Sequence, residues 1–509
     1  MNESTRAPVQ HKWIISIAVM LGPMMEVIDS SIVNIALPNM MGSLGANLDE
    51  ITWLVTGYIV ANVTIIPISG WLSTRFGRKR YFLASIACFT IASFFCGFIR
   101  NLYLLIPIRV IQGIGGGALI PTSQAILMET FPPEEQGTAM SVFGFGMMVC
   151  PSLGSIVAGW VTDNYSWSWS FYINVPIGAV AFFLVLFFIE DPAYLKSTGS
   201  RIDYVGFILL AVGIGCLQTV LQKGERADWF ESRFITGLSL LAAVALPSFI
   251  VWELKTKHPI VNLRVLANRS LCVGTILTMV IGFGLYGSLV LISVYFQNLL
   301  HYSSWETGKF FFYSAAAIAM VMPIAGRLVN RVSPRYLVGA GVSFFALAVY
   351  RMSHFTLETR YEEVFWTQII RGAGLGLSVV PLNVIALKTL EKKDIPAASG
   401  LYNLMRQLGG GFGIAILVAL LTRGEAIHRA NLVQYVHMLN PLTVQRLDVL
   451  EQRLLARGED FVSAKMGALK LLDHTIHTQA LMLAFVDGFQ FVVILILLSL
   501  PLLFFFKKG

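Results

Sequence analysis

A chain of 509 residues with 56% hydrophobic and 13% charged side chains holds more apolar surface than a soluble fold of this length can hide. At about 20 apolar residues per membrane crossing, its roughly 285 apolar side chains suffice for about 14 spans, which excludes a soluble enzyme, a disordered scaffold and a secreted disulfide protein. The 37 basic and 29 acidic residues leave a formal charge of +8, which reads as Lys and Arg held in cytoplasmic loops rather than as a nucleic-acid surface.

The polar stretch 1–12 is followed by an apolar run without a small-residue cleavage site, so the first helix is expected to be retained. That first span, 13–37, carries Glu26 and Asp29 three positions apart, hence on one helix face. A carboxylate at mid-membrane costs about 2.5–3.5 kcal/mol even on the lenient insertion scale, and is neutralised by protonation. This is the chemistry of a proton-coupled transporter, and the pair also suits a lipophilic cation. Asp29 is the first choice as coupling acid. The alternatives are a structural acid bonded to a neighbouring helix or, for Glu26, a place near the outer surface.

Span 2 (51–73) leads into a basic loop with Arg75, Arg78, Lys79 and Arg80, a cytoplasmic clamp or a topology signal alone. Span 3 covers 81–98. Span 4 (102–127) contains Arg109, which is permanently charged. It acts either as an electrostatic switch answering to the span-1 acids or as a fixed ion-pair partner. Gly113, Gly115, Gly116 and Gly117 in the same span permit close helix approach. In span 5 (138–160), Gly154 and Gly159 mark a place where the helix bends or slides, or simply packs. Spans 6, 7 and 8 cover 171–189, 204–221 and 234–252, with Asp203 read as an N-cap.

Spans 9 to 13 are expected at 271–297, 308–328, 336–355, 364–387 and 398–421. Arg371 is expected near a helix end. Arg406 either hydrogen-bonds substrate or holds the halves of the molecule together. The segment 422–480 is too polar to cross a membrane. Leu447, Leu450, Leu454 and Leu455 recur there at helical spacing, which suggests a short amphipathic helix. Span 14 (481–506) carries Asp487. The five cysteines lack metal-ligand spacing, so neither a disulfide framework nor a metal site is expected.

An even count places both termini on one side, and the distribution of Lys and Arg makes that side cytoplasmic. The segments beginning at Pro67 and Pro323 share Pro, Ile, Gly, Leu and Arg at an offset of 256 residues, and Gly113, Gly115 and Gly117 are echoed by Gly372, Gly374 and Gly376. Matching spans eight apart imply two six-span halves, 1–190 and 271–509, with two inserted spans in 191–270. Duplicated halves point to a secondary transporter with its site between them.

Several motifs then resemble the major facilitator superfamily, in particular its 14-span drug:proton antiporter branch. They are the span-1 run Asp29–Pro38, the loop Gly70–Arg80, the span-4 run Arg109–Gly113, the entry Trp167–Gly178 into span 6, and the span-13 pattern Ser399–Asn403 with Arg406–Gly410. The resemblance covers essentially the whole chain. It implies an all-α polytopic fold and proton coupling through Asp29, Glu26 and Arg109. It further implies a substrate cavity with Asn34, Gln112, Asn403 and Arg406, a gating loop using Gly70, Arg75, Gly77 and Arg78, and an antiporter-motif helix with Gly154 and Gly159. Two departures stand out: Thr74 where the family has an acid, and Gly154-Ser155 in place of Gly-Pro.

The implied activity is proton-driven efflux of hydrophobic toxic compounds across the bacterial inner membrane, driven by the proton motive force without a cofactor. The implied partners are a periplasmic adaptor of the membrane-fusion class and an outer-membrane channel. The rival on the same fold is a symporter or a dedicated metabolite or siderophore exporter, and a more distant one is a non-transporting membrane sensor. No phosphate-binding loop, metal cluster or nucleophile triad supports an enzyme.

Overall fold

The computed structural model describes residues 12–191, 203–257, 259–329, 331–391 and 393–506. In a bilayer every backbone N–H and C=O must be bonded within the chain, and apolar segments answer by forming helices. In chain order these are α1 (Lys12–Leu44), α2 (Leu48–Ile51), α3 (Trp53–Phe76), α4 (Arg78–Phe98), α5 (Leu102–Gly116), α6 (Leu119–Thr130), α7 (Gln136–Asn164), α8 (Trp169–Tyr172) and α9 (Asn174–Phe188). They continue as α10 (Tyr204–Lys223), α11 (Arg233–Lys255), α12 (Arg269–Val294), α13 (Ser304–Leu328), α14 (Pro334–Met352), α15 (Tyr361–Lys388), α16 (Ile395–Val433), α17 (Pro441–Leu455) and α18 (Phe461–Ser499).

Polar caps stop the helices where the chain leaves the apolar layer. Asn101 accepts from the N–H groups of Tyr103 and Leu104, Asn268 from those of Ser270 and Leu271, and Asp203 from that of Gly206, as the sequence suggests for the last. Ser303 and Glu306 form a capping box. Gly77, at φ +87°, turns the chain from α3 to α4 in a single residue.

Among the described residues, twelve helical segments are long and apolar enough to cross a membrane. The helices α7 and α14 stand at the fifth and eleventh expected spans but are not among those twelve. The fourth expected span is two helices, α5 and α6, separated at Gly117–Ala118. The polar segment 422–480 is largely helical. The helix α16 runs on to Val433, α18 begins at Phe461, and α17 lies against α18 through Leu454, Ala464 and Ala468. The short amphipathic helix is where the leucine spacing puts it, though Leu455 remains exposed.

The sequence repeat is also a repeat of contacts. A Cβ at Gly113 would meet Tyr58 O and the Ala61 side chain; at Gly372 it would meet Ser314 O and the Ala317 side chain. Gly115 faces Ser85 and Phe89, while Gly374 faces Gly341 and Phe345. Gly117 faces Asn62 and Ile65, while Gly376 faces Ile318 and Val321. Each partner in the second set lies 256 positions after its counterpart. Glycine is needed at each position because backbones touch there, the packing mode of membrane helices that lack a hydrophobic drive to associate.

The two repeats meet through α3 against α16 and α7 against α13. The closest approaches lie at the end bearing the Gly70–Arg80 loop. Gly70 abuts the Pro396–Ala397 backbone, Gly137 and Gly326 abut one another, and Gly400 rests on Ile66 O. The helices α10 and α11 pack together beside α3 and α16. The Lys223 ammonium donates to Asp49 O (2.8 Å) and Thr52 Oγ1 (2.6 Å), tying α10 to the start of α3.

Candidate functional site

Asp29 is fully buried, and three donors from two other helices converge on it. Arg109 Nη1 donates to Asp29 Oδ2 at 2.7 Å, while Gln112 Nε2 (3.0 Å) and Asn174 Nδ2 (2.8 Å) donate to Oδ1. Arg109 Nη1 also reaches Gln112 Oε1 at 2.6 Å. Asn174 donates further to Ser93 Oγ (3.0 Å), whose hydroxyl donates to Phe171 O (2.9 Å). The guanidinium lies over the rings of Tyr58 at 4.4 Å and Phe171 at 5.6 Å. A buried ion pair is tolerable only when its remaining lone pairs and protons are bonded, and this one is enclosed in such a network. Arg109 has no acceptor to offer a protonated acid, so proton uptake by Asp29 would break the ion pair.

Glu26, one turn earlier on α1, sits differently. Its Oε1 accepts from Asn62 Nδ2 at 2.8 Å, but its buried Oε2 has no partner. Across the interface between repeats, Arg406 of α16 is near enough for its charge to act on Glu26, and Arg406 Nε is also unpartnered. A buried acid with an unpartnered oxygen, within electrostatic reach of a base that also keeps unused hydrogen-bonding capacity, forms a place where a proton, an ion pair or a ligand can alternate. Glu26 is enclosed by the protein, at 7% exposure.

The other expected cavity residues do not gather in one place. Gln112 belongs to the Asp29 network. Asn403 Nδ2 donates to Gln124 Oε1 at 2.6 Å, and Ser399 Oγ donates to the same oxygen at 3.0 Å, a buried polar tie between α16 and α6. The side chains at Asn34 and at position 159, where Gly159 stands on α7, lie outside the described residues. Gly154 packs on α1 beside Ile28 and Ser31, which places α7 against the acid-bearing turn. The helix α7 is continuous through Pro151.

Arg371 corrects its expected place near a helix end: it lies in the interior of α15 and is 3% exposed. Asp487 accepts from His428 Nε2 at 2.7 Å, tying α18 to the extension of α16.

In the gating loop, Thr74 closes on its own helix, donating to Trp71 O at 2.9 Å. The acid missing there is supplied from elsewhere: Arg78 forms a buried ion pair with Glu129 at the end of α6. Asp191 accepts from the Lys79 N–H at 2.8 Å and crowds Gly77. Arg75 lies over the Trp71 ring at 5.3 Å. Asn62, Asn174, Ser93 and Gln124 were missed in the sequence, although an amide or hydroxyl inside an apolar span is itself the signal.

A model of the major facilitator superfamily matches residues 19–414. The chain is 36% identical over 433 residues to the multidrug export protein EmrB of Escherichia coli K12, covering 84% of each chain. It is 33% identical over 500 residues to the fatty acid resistance protein FarB of Neisseria gonorrhoeae, covering 97% of this chain and 96% of that one. Among solved structures, the proton:xylose symporter XylE aligns with a TM-score of 0.59 at 15% identity, over 96% of this chain and 97% of that chain, a likeness of fold alone.

Proposed function

The chain belongs to the major facilitator superfamily, and from that premise we propose that it is a proton-driven exporter of hydrophobic toxic compounds in the bacterial inner membrane. It is a transporter rather than an enzyme. We assign it fourteen spans, counting α7 and α14 and taking α5 with α6 as one, with both termini cytoplasmic. The halves are 1–190 and 271–509, with 191–270 inserted between them. On that orientation the seals at Gly70 and at Gly137–Gly326 close the cytoplasmic side.

The observation that carries the coupling proposal is the contrast between the two span-1 acids. Asp29 is held by Arg109, Gln112 and Asn174, whereas Glu26 keeps an unpartnered oxygen opposite Arg406. A proton from the periplasm neutralises Glu26 and removes its electrostatic pull on Arg406. A lipophilic compound entering from the cytoplasm or inner leaflet competes for the same acid and displaces the proton. Antiport needs no more than that competition. Asp29 and Arg109 relay the change by holding α1, α5 and α9 together or letting them part. Arg75, Arg78 and the glycines of the gating loop close the cytoplasmic end.

The polar helical extension formed by the end of α16, α17 and the start of α18 is proposed to receive the periplasmic adaptor of a tripartite system. Its exposed Tyr435, Met438, Leu439 and Leu442 give it an apolar contact surface. Inverted membrane vesicles test the proposal. Energised vesicles should accumulate a fluorescent lipophilic compound, and a protonophore should abolish the accumulation. Accumulation that follows ATP and ignores the protonophore, or that never occurs, contradicts it. The name of the FarB relative favours one further substrate group, amphipathic carboxylic acids.

A further inference from the structure

The second repeat contains the clamp that holds Asp29 in the first, but without an acid inside it. On α5 the clamp is Arg109 and Gln112, one turn apart. Aligning Gly113 with Gly372, whose contacts match, puts Gln368 and Arg371 at the same two levels of α15 with their order exchanged. The level of Asp29 can be carried over in the same way. Gly154 meets the Ile28 backbone, and Gly413 meets that of Phe283. Gly284 and Leu285 of α12 therefore stand where the first repeat has its carboxylate.

What remains is a buried guanidinium among neutral groups. Arg371 donates to Leu285 O (3.3 Å), Ser288 Oγ (3.4 Å) and Ser314 Oγ (3.5 Å), all long contacts. Its Nε has no partner, and among the described residues no carboxylate forms a hydrogen bond or ion pair with it. Gln368 is completely buried, yet neither of its polar side-chain atoms is bonded. Two adjacent side chains with unspent donors, one of them charged, are rarely left so inside a folded protein.

We propose that Gln368 and Arg371, with the hydroxyls of Ser288 and Ser314, form a binding site for a compact monovalent anion that takes the place Asp29 holds in the first repeat. A planar carboxylate head matches the guanidinium fork. Phe365, one turn before Gln368, packs on Tyr313, whose hydroxyl meets that of Tyr361 at 2.7 Å. This aromatic wall offers an apolar tail a surface beside the anionic head. The anion comes either from the medium, as chloride, or from an amphipathic organic acid. Only its role as cargo rests on the efflux reading, because binding does not require transport.

The test uses the full-length protein in detergent, titrated with sodium octanoate, with sodium chloride and with octanol as the uncharged control. Thermal unfolding and calorimetry provide the readouts. Octanoate is expected to raise Tm saturably while octanol does not, because an anion bound only by the folded state shifts unfolding by mass action. Arg371→Met should remove the effect while the variant still folds, since it deletes an unpaired buried charge. Gln368→Leu should weaken binding about tenfold or more, the worth of one hydrogen bond to a charged group. Competition between chloride and octanoate would support one shared site. A response to chloride alone would support an inorganic anion as its occupant. An octanoate response unchanged in Arg371→Met, or no saturable response to either anion, overturns the proposal. Anion binding in a protein that exports nothing would overturn the efflux reading and leave this site standing.

Discussion

At the scale of single residues, the two acids of α1 divide the work. Glu26→Gln keeps the shape and the bond to Asn62 but fixes the group in its neutral form. The variant is expected to fold and to allow downhill movement of substrate, while uphill transport in vesicles is lost. Asp29→Asn is expected to act first on stability. It leaves Arg109 buried without its counter-charge, a change worth about 3–5 kcal/mol, so its Tm in detergent should fall well below that of Glu26→Gln. Equal melting temperatures for the two variants would contradict this division. The sequence made both acids visible, since an ionisable residue inside an apolar run is conspicuous. It ranked Asp29 first because spacing along one helix says nothing about the partners brought by α3, α5, α9 and α16. The same limit misplaced Arg371, whose surroundings are set by α12 and α13.

At the scale of elements, the helices were legible because apolar runs between charge and turn clusters have few alternatives in a bilayer. The extension was legible only in part. The leucine spacing in 422–480 gives a short amphipathic helix, whereas the run of α16 to Val433 and the start of α18 at Phe461 depend on packing, with α17 lying on α18. The seal at the gating-loop end depends on small residues, and this gives a conformational prediction. A Cβ at Gly70 would lie 2.8 Å from the Ala397 backbone, closer than packed atoms tolerate, and overpacking of this kind costs about 1–3 kcal/mol. Gly70→Val is therefore expected to shift the population away from the state sealed at that end. Spin-label distances between α3 and α16 near residues 70 and 397 should lengthen in the variant. Unchanged distances would count against the seal as a gate.

At the scale of the whole molecule, the duplication was legible from a few identities in register, and the structure extends it to contacts that no identity reveals. Ser314 and Tyr58, or Gly341 and Ser85, share a place but not a residue type. Repeated backbone approach therefore outlasts repeated sequence, which is why glycines carried the signal. The extension yields a separable prediction. Replacing 436–458 with a short Gly-Ser linker should leave exchange by the purified protein intact while reducing the resistance it confers on intact cells, where the proposed adaptor would act. Loss of both together would assign the extension to the transporter itself. The central claim, exchange of substrate for proton through Glu26, is tested most directly in proteoliposomes with an imposed pH gradient and a pH indicator inside. The account predicts that a lipophilic substrate evokes proton flux in the wild type and none in Glu26→Gln. Proton flux that persists undiminished in the variant would contradict it.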